Sequence, residues 1–177
     1  MGRYIDIHVR LDAATFRRYC AFDTFRRQRR WYWPVLIGMV LITVALAGLL
    51  RLAPMSESAA GVLMGLGIAI PAVIFGLYVV QIEAQIARQG LKQAPAVYSL
   101  RLDAGGVRVT NDQKEEPPVE LGWDRLWAAF KRSDAVYLYV SPERALILPD
   151  GQASVSHEAL WTFMKKHLGD ARCIEKK

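Results

Sequence analysis

The feature that most constrains this chain is a pair of long uncharged stretches. From Trp31 to Leu52 the only charge is Arg51, and from Ala59 to Val80 there is none. As a helix, a stretch of about 22 residues spans roughly 33 Å, close to the thickness of a bilayer's hydrocarbon core. A helix buried in a soluble core usually runs shorter and keeps polar residues where its face meets water. The two blocks, 31–52 and 59–80, are therefore expected to be transmembrane helices joined by the turn 53–58. A cleaved signal peptide fits poorly, because the first block follows a strand-like segment and a run of arginines and is longer than a typical signal core.

Basic residues near the span ends set the expected orientation, since Lys and Arg resist translocation. Arg17, Arg18, Arg26, Arg27, Arg29 and Arg30 precede the first span, and Arg88 and Lys92 follow the second. Only Arg51 adjoins the connecting turn. Both termini are expected in the cytosol, with 53–58 outside, as in a multi-pass protein of the cell (inner) membrane. Trp31, Tyr32 and Trp33 sit where an interfacial aromatic belt belongs, and Pro34 at the helix start lacks an amide proton that the helix does not need.

The net charge of +6 is unevenly placed. Residues 1–30 hold eight Arg and three Asp, a net +5, whereas residues 81–177 hold fourteen Lys/Arg and thirteen Asp/Glu, a net +1. An excess at the start of a span argues for anionic lipid headgroups and against nucleic acid, which favours a basic face on the folded domain. The six arginines 17, 18, 26, 27, 29 and 30 either set topology alone or also bind anionic lipid. Cys20 and Cys173, in a reducing compartment, are expected to be thiols. Together with His8, His157 and His167 they have no metal-ligand spacing, so no metal or cofactor is expected.

Along residues 3–11, Ile5, Ile7, Val9 and Leu11 alternate with Tyr4, Asp6, His8 and Arg10, the pattern of a half-buried strand with His8 on its polar face. Asp12 suits the N-cap of a helix from about Ala13 to Arg30. Its Phe16, Tyr19, Phe22 and Phe25 recur every three residues, to dip into headgroups or to pack on the rest of the protein. In the second span Gly61, Gly65, Ala69, Ala72 and Gly76 form one stripe of small residues. Such a stripe lets another helix approach closely, either the first span through Gly38, Ala45 and Gly48 or a second copy in a homo-oligomer. Pro71 is expected to bend that span. No ionisable residue lies inside either span, which removes the usual sign of an ion path.

A helical extension over 81–94 ends at Pro95, and beyond it the pattern turns strand-like. Strands are expected before and after the turn Asp103-Ala104-Gly105-Gly106, at Val119–Trp123, Leu126–Lys131, Ala135–Val140 and Ala145–Leu148, with the acidic loop 112–118 between. Ser156 caps a final helix whose apolar stripe is Leu160, Phe163, Met164, His167 and Leu168. That gives a sheet of about five strands, joined by the N-terminal strand and covered by the last helix.

The strand-helix-span-span-β order, with Tyr98-Ser-Leu-Arg-Leu-Asp-Ala-Gly-Gly-Val107, Val119-Glu-Leu-Gly-Trp123-Asp-Arg-Leu126, Val136-Tyr-Leu-Tyr-Val140 and Ala145-Leu-Ile-Leu-Pro149, resembles the YcxB-like membrane proteins of bacteria. The resemblance implies an α+β membrane protein: a two-helix transmembrane hairpin plus a small cytosolic PH-like β-sheet domain, residues 95–177, closed by a C-terminal helix. It supplies no catalytic residues, and Trp123 and Pro149 read as structural. No phosphate loop, zinc-protease helix or nucleophile elbow is present, so no enzyme is expected. The expected function is a membrane-anchored binding or scaffold module with the bilayer, anionic headgroups or an unidentified protein as partners. The alternative is an accessory or regulatory subunit of a membrane transport complex.

Overall fold

A computed structural model describes residues 4–28, 31–111 and 117–175. The chain divides into two compact units, Met1–Tyr19 with Gln89–Lys177, and Cys20–Arg88.

In the first unit the alternation at the N-terminus becomes strand β1 (Ile5–Leu11), with Ile5, Ile7, Val9 and Leu11 buried. β1 pairs antiparallel with β2 (Ala96–Leu102), from Ile5 opposite Leu102 to Leu11 opposite Ala96. Two strands nearly ninety residues apart along the chain are thus direct neighbours, and the whole second unit is inserted between them in sequence. β3 (Gly106–Asn111) and β4 (Val119–Gly122) complete a four-stranded sheet in the order β1-β2-β3-β4. The β2–β3 turn is held by the Asp103 carboxylate, whose Oδ1 accepts from the amides of Gly105 (2.8 Å) and Gly106 (3.1 Å). Glycine is needed at 106 because a Cβ there would strike the Leu121 carbonyl oxygen on β4.

After a 3₁₀ turn at Trp123–Arg125, a second sheet forms from β5 (Ala128–Lys131), β6 (Ala135–Ser141), β7 (Arg144–Pro149) and β8 (Cys173–Glu175), in the order β7-β6-β5-β8. β7 ends at Pro149, which has no amide to continue a ladder. The expected sheet of about five strands plus the N-terminal one is instead two sheets of four. β8, parallel to β5, has no counterpart in the sequence reading: it is three residues long and too short for a periodic signal. The amide of Ser154 donates to the Asp6 carbonyl (2.9 Å), tying β1 to the segment that follows β7.

Helix α1 (Ala13–Ala21) starts where expected, with the amide of Thr15 donating to Asp12 Oδ1 at 2.7 Å. The straight helix expected to run on to Arg30 gives way to a π-helical segment, Phe22–Arg27. A π turn holds an extra residue, so side chains beyond it are rotated off the face that an α-helical spacing assigns them. α4 (His157–Leu168) has the expected Ser156 cap, accepting from the Ala159 amide (3.3 Å), and buries Leu160, Trp161, Met164 and Leu168.

In the second unit, α2 (Tyr32–Leu49) and α3 (Glu57–Arg88) are long and apolar enough to cross a membrane by length and composition. They form an antiparallel hairpin. α2 stops in a Schellman arrangement, with the amide of Leu52 donating to the Ala47 carbonyl and that of Arg51 to the Gly48 carbonyl, and with Arg51 at φ +58°. The buried residues at the helix contact are small: Gly38, Ala45 and Gly48 on α2, and Ala60 and Gly67 on α3. A Cβ on Gly38 would lie 2.5 Å from the Gly67 carbonyl oxygen and 2.9 Å from the Pro71 ring. Pro71 lies within one continuous helix and packs toward Gly38.

Candidate functional site

Of the six arginines singled out in the sequence, Arg17 and Arg18 are exposed on α1, and Arg26 is exposed in the π-helical segment. Arg27 has a different role. Its Nε donates to Asp23 Oδ1 four residues earlier, with the side chain largely buried, and Gln28 Nε2 donates to the other carboxylate oxygen. It therefore serves the local fold. Arg29 and Arg30 lie outside the described residues, as does the 112–116 part of the acidic loop.

The interleaved aromatics are used within the protein. Phe16 and Phe22 are buried. In the sheet unit Tyr19 packs its ring on Tyr137 (5.3 Å between centroids) and Tyr139 (6.3 Å), so α1 lies against β6. In the hairpin unit Phe25 meets Trp31 (5.8 Å), Phe75 (6.4 Å) and Tyr78 (5.4 Å).

Those rings border an apolar concavity of the hairpin unit, a groove of about 590 Å³. Its walls come from the π-helical segment (Thr24, Phe25), the start of α2 (Trp31, Pro34, Val35) and α3 from Ile68 to Tyr78. Its lining is almost wholly apolar, and the Tyr78 hydroxyl is buried. The sequence reading did not single out this groove; the signal for it is the pair Phe75 and Tyr78, three apart on one helical face, together with an aromatic on each side of the arginine run.

The predicted stripe on the second span sits away from the hairpin contact. Gly61, Gly65, Ala69, Ala72 and Gly76 are all exposed, and a Cβ on Gly61, Gly65 or Gly76 would meet nothing within 4 Å among the described residues. The helix contact instead uses Ala60 and Gly67, seven residues apart, while on α2 it uses the expected Gly38, Ala45 and Gly48. Gly67 is two positions beyond Gly65, which on a helix is nearly the opposite face.

Polar clefts lie among the described residues of the sheet unit. One, of about 490 Å³, lies between the β2–β3 turn and β4, where Arg108 is ion-paired across the strands with Glu120 and where Asp103, Asp124 and Arg125 add charges of both signs. Another, of about 410 Å³, is lined by Arg10, Asp12, Lys92 and Gln152 among others. Among the described residues no three His, Cys, Asp or Glu side chains come together to hold a metal ion.

The histidines and cysteines have structural surroundings. His8 Nδ1 lies 3.0 Å from the Ser99 hydroxyl on the exposed face of the first sheet. His167 stacks on Trp123 (5.2 Å, 17° between planes), and the Trp123 indole donates to the Asp103 carbonyl (2.9 Å). Burial, with Asp23 nearby, pushes the Cys20 thiol up to about 11, which removes it as a nucleophile near neutral pH. Compared with protein-family models, with curated proteins and with solved structures, the chain matches none.

Proposed function

We propose that the protein is a membrane-anchored binding module without catalytic activity: α2 and α3 cross the bilayer, both chain ends lie in the cytosol, and the sheet unit is a PH-like, YcxB-like domain that holds a protein or lipid partner at the cytosolic leaflet. The observation that supports this most is the organisation of the chain. A hairpin that exposes most of its large apolar side chains is inserted in sequence between two paired strands of a unit that has its own buried core. In water that exposed surface would be a liability, whereas in lipid it is solvated. The PH-like reading draws on two four-stranded antiparallel-rich sheets with a helix following the seventh strand.

The test is to express the full chain with a fluorescent protein at its C-terminus and, separately, with alkaline phosphatase inserted at 54. Carbonate-resistant membrane retention, fluorescence and phosphatase activity are expected together. Release by carbonate would remove the anchor, and an inactive phosphatase beside a dark C-terminal fusion would invert the topology. For the partner, affinity capture from membranes in mild detergent should return the same component from wild type and from a hairpin-surface variant, and lose it on substitution in the sheet unit.

The exposed stripe Gly61/Gly65/Ala69/Ala72/Gly76 favours a second reading, an accessory subunit that lays this face against a helix of a transport complex. Capture that fails with Gly65→Leu and survives changes in the sheet unit would select it.

A further inference from the structure

We propose that the face of the second sheet bearing Trp127 and Ile174 is a membrane-contact surface, with the Trp127 ring seated among the headgroups of the leaflet that the hairpin enters. The inference rests on the reading that α2 and α3 cross the bilayer. Among the described residues of the sheet unit, four large apolar side chains are exposed: Tyr4, Val119, Trp127 and Ile174. Tyr4 carries the Arg101 guanidinium over its ring at 4.9 Å, and Val119 lies on β4, at the edge of the first sheet. Trp127, 43% exposed, and Ile174, 38% exposed, belong together.

Strand register brings them to one face. Phe130 on β5 pairs with Ile174 on β8 and with Tyr137 on β6, and Ala128 pairs with Tyr139, so these side chains lie on the same side of the second sheet. α1 lies on that side, through Tyr19 against Tyr137 and Tyr139, whereas the opposite side meets α4 through Lys131 and Glu158. The Trp127 ring meets both Tyr139 (5.9 Å) and Phe130 (6.3 Å), and the Trp127 amide donates to the Tyr139 carbonyl (2.8 Å). The exposed part of the indole is therefore held in place next to α1, and Ile174 continues the apolar surface past Phe130.

Chain connectivity selects lipid as the occupant. Tyr139 is the ring that Tyr19 and Trp127 share, and Tyr19 stands twelve positions before Trp31 in the sequence. Twelve residues reach about 18 Å as a helix and about 40 Å fully extended. A patch on so short a tether stays within reach of the leaflet. Two side chains fall far short of the roughly 20–30 residues a side of a stable protein interface. An indole, with a broad apolar ring and a single N–H, suits headgroup depth.

The test uses the full chain reconstituted into phosphatidylcholine vesicles whose lipid carries bromine on the acyl chain close to the headgroup. Bromine quenches a nearby indole, and subtracting the emission of Trp127→Phe or of Trp33→Phe from that of wild type isolates each signal from the other four tryptophans. Trp33, 70% exposed at the start of α2, reports on the anchor. Both signals should be lost in brominated vesicles relative to unbrominated ones, and aqueous iodide should spare Trp127. Ile174→Glu should restore part of the Trp127 emission, whereas Val119→Glu, on the other sheet, should leave it quenched. Trp127 emission that survives bromine while Trp33 is quenched overturns the proposal and leaves the anchor standing. Quenching by iodide would then assign the patch to water or a protein partner, and protection from both quenchers to a second copy of the chain. Equal responses to Ile174→Glu and Val119→Glu also overturn it. Trp33 emission untouched by bromine overturns the transmembrane reading itself.

Discussion

The two units solve opposite packing problems. In the sheet unit large side chains are inside, with Ile7, Tyr137 and Leu138 at 0% exposure, and charge is mostly outside, Lys131 being the buried exception among the described residues. Along the facing stretches of α2 and α3 most large side chains are outside, with Met39 at 64% and Val62 at 63% exposure, and the buried positions are Gly38, Ala45, Gly48, Ala60 and Gly67, with Ile86 buried further along α3. The sheet unit is held by removal of apolar area from water, the hairpin by close approach of two backbones. Hydropathy therefore locates the core in one unit and is silent about the contact in the other, where side-chain size is the relevant variable.

The largest test of this contrast is a pair of truncations of similar chemistry. Ile7→Ala should cost about 2–5 kcal/mol, because it opens a cavity under β1. Met39→Ala, which removes side-chain surface already exposed, should stay within about 0.5 kcal/mol. Denaturant unfolding of the full chain in mild detergent, followed by near-ultraviolet circular dichroism, measures both. Equal costs would mean that the hairpin surface is packed after all. Because β1 precedes the hairpin and β2 follows it, a large Ile7 effect also establishes that a chain begun at residue 94 lacks a strand it needs.

The next pair sharpens the hairpin half. Gly38→Ala places a methyl against the Gly67 carbonyl oxygen, a backbone atom that cannot rotate away, and should destabilise by about 1–3 kcal/mol. Gly65→Ala meets open space and removes the helix penalty of glycine, so it should stabilise by about 0.5–1 kcal/mol. Thermal unfolding in detergent should show opposite shifts. Shifts of the same sign would disprove the assignment of the contact to Gly38 and Gly67 instead of the Gly61/Gly65 stripe.

This division also explains what was legible in the sequence. β1 and α4 face core on one side and water on the other, so period-two and helical patterning identified Ile5 to Leu11 and the Ser156-capped helix. α3 is apolar all round, and its most regular run of small residues is not the run that packs; Ala60 and Gly67 are distinguished only by what they meet. β8 and the π-helical segment are tertiary outcomes. A three-residue strand exists because β5 offers an edge, and no local propensity announces a π turn at Phe22. Most of the separate elements were therefore readable, while the division into two sheets and the groove were not, since Thr24, Trp31 and Tyr78 come together only when the hairpin closes.

A smaller effect is expected at the hairpin's turn. Arg51 occupies the left-handed position of the Schellman cap at φ +58°, which costs a side-chain-bearing residue roughly 1–2 kcal/mol relative to glycine. Arg51→Gly should recover about 1 kcal/mol in the same thermal assay with the helix ends unchanged. A loss of stability would show that the guanidinium, and not the backbone, is what position 51 contributes.

The smallest effect concerns polar groups at the surface of the sheet unit. Lys131 on β5 is nearly buried, with Nζ 2.5 Å from Glu158 on α4 and 3.4 Å from Glu175 on β8. The hydrogen bond with Lys131 holds the Glu158 carboxyl below its usual value, and the same bond raises the Lys131 ammonium. For Glu158 the stabilisation is present above the ordinary carboxylate value, near about 4.3, and is lost as pH falls through the lowered folded value. For Lys131 it is present below about 10.4 and lost as pH rises through the raised one. Between these limits the difference in melting temperature between wild type and Glu158→Gln should be constant and small, because Glu158 is exposed and Glu175 still faces Lys131. As pH falls through the lowered Glu158 value the two proteins should converge, because wild type becomes protonated at the same position. A gap that persists into acid would mean that Glu158 acts through packing on α4 and not through charge.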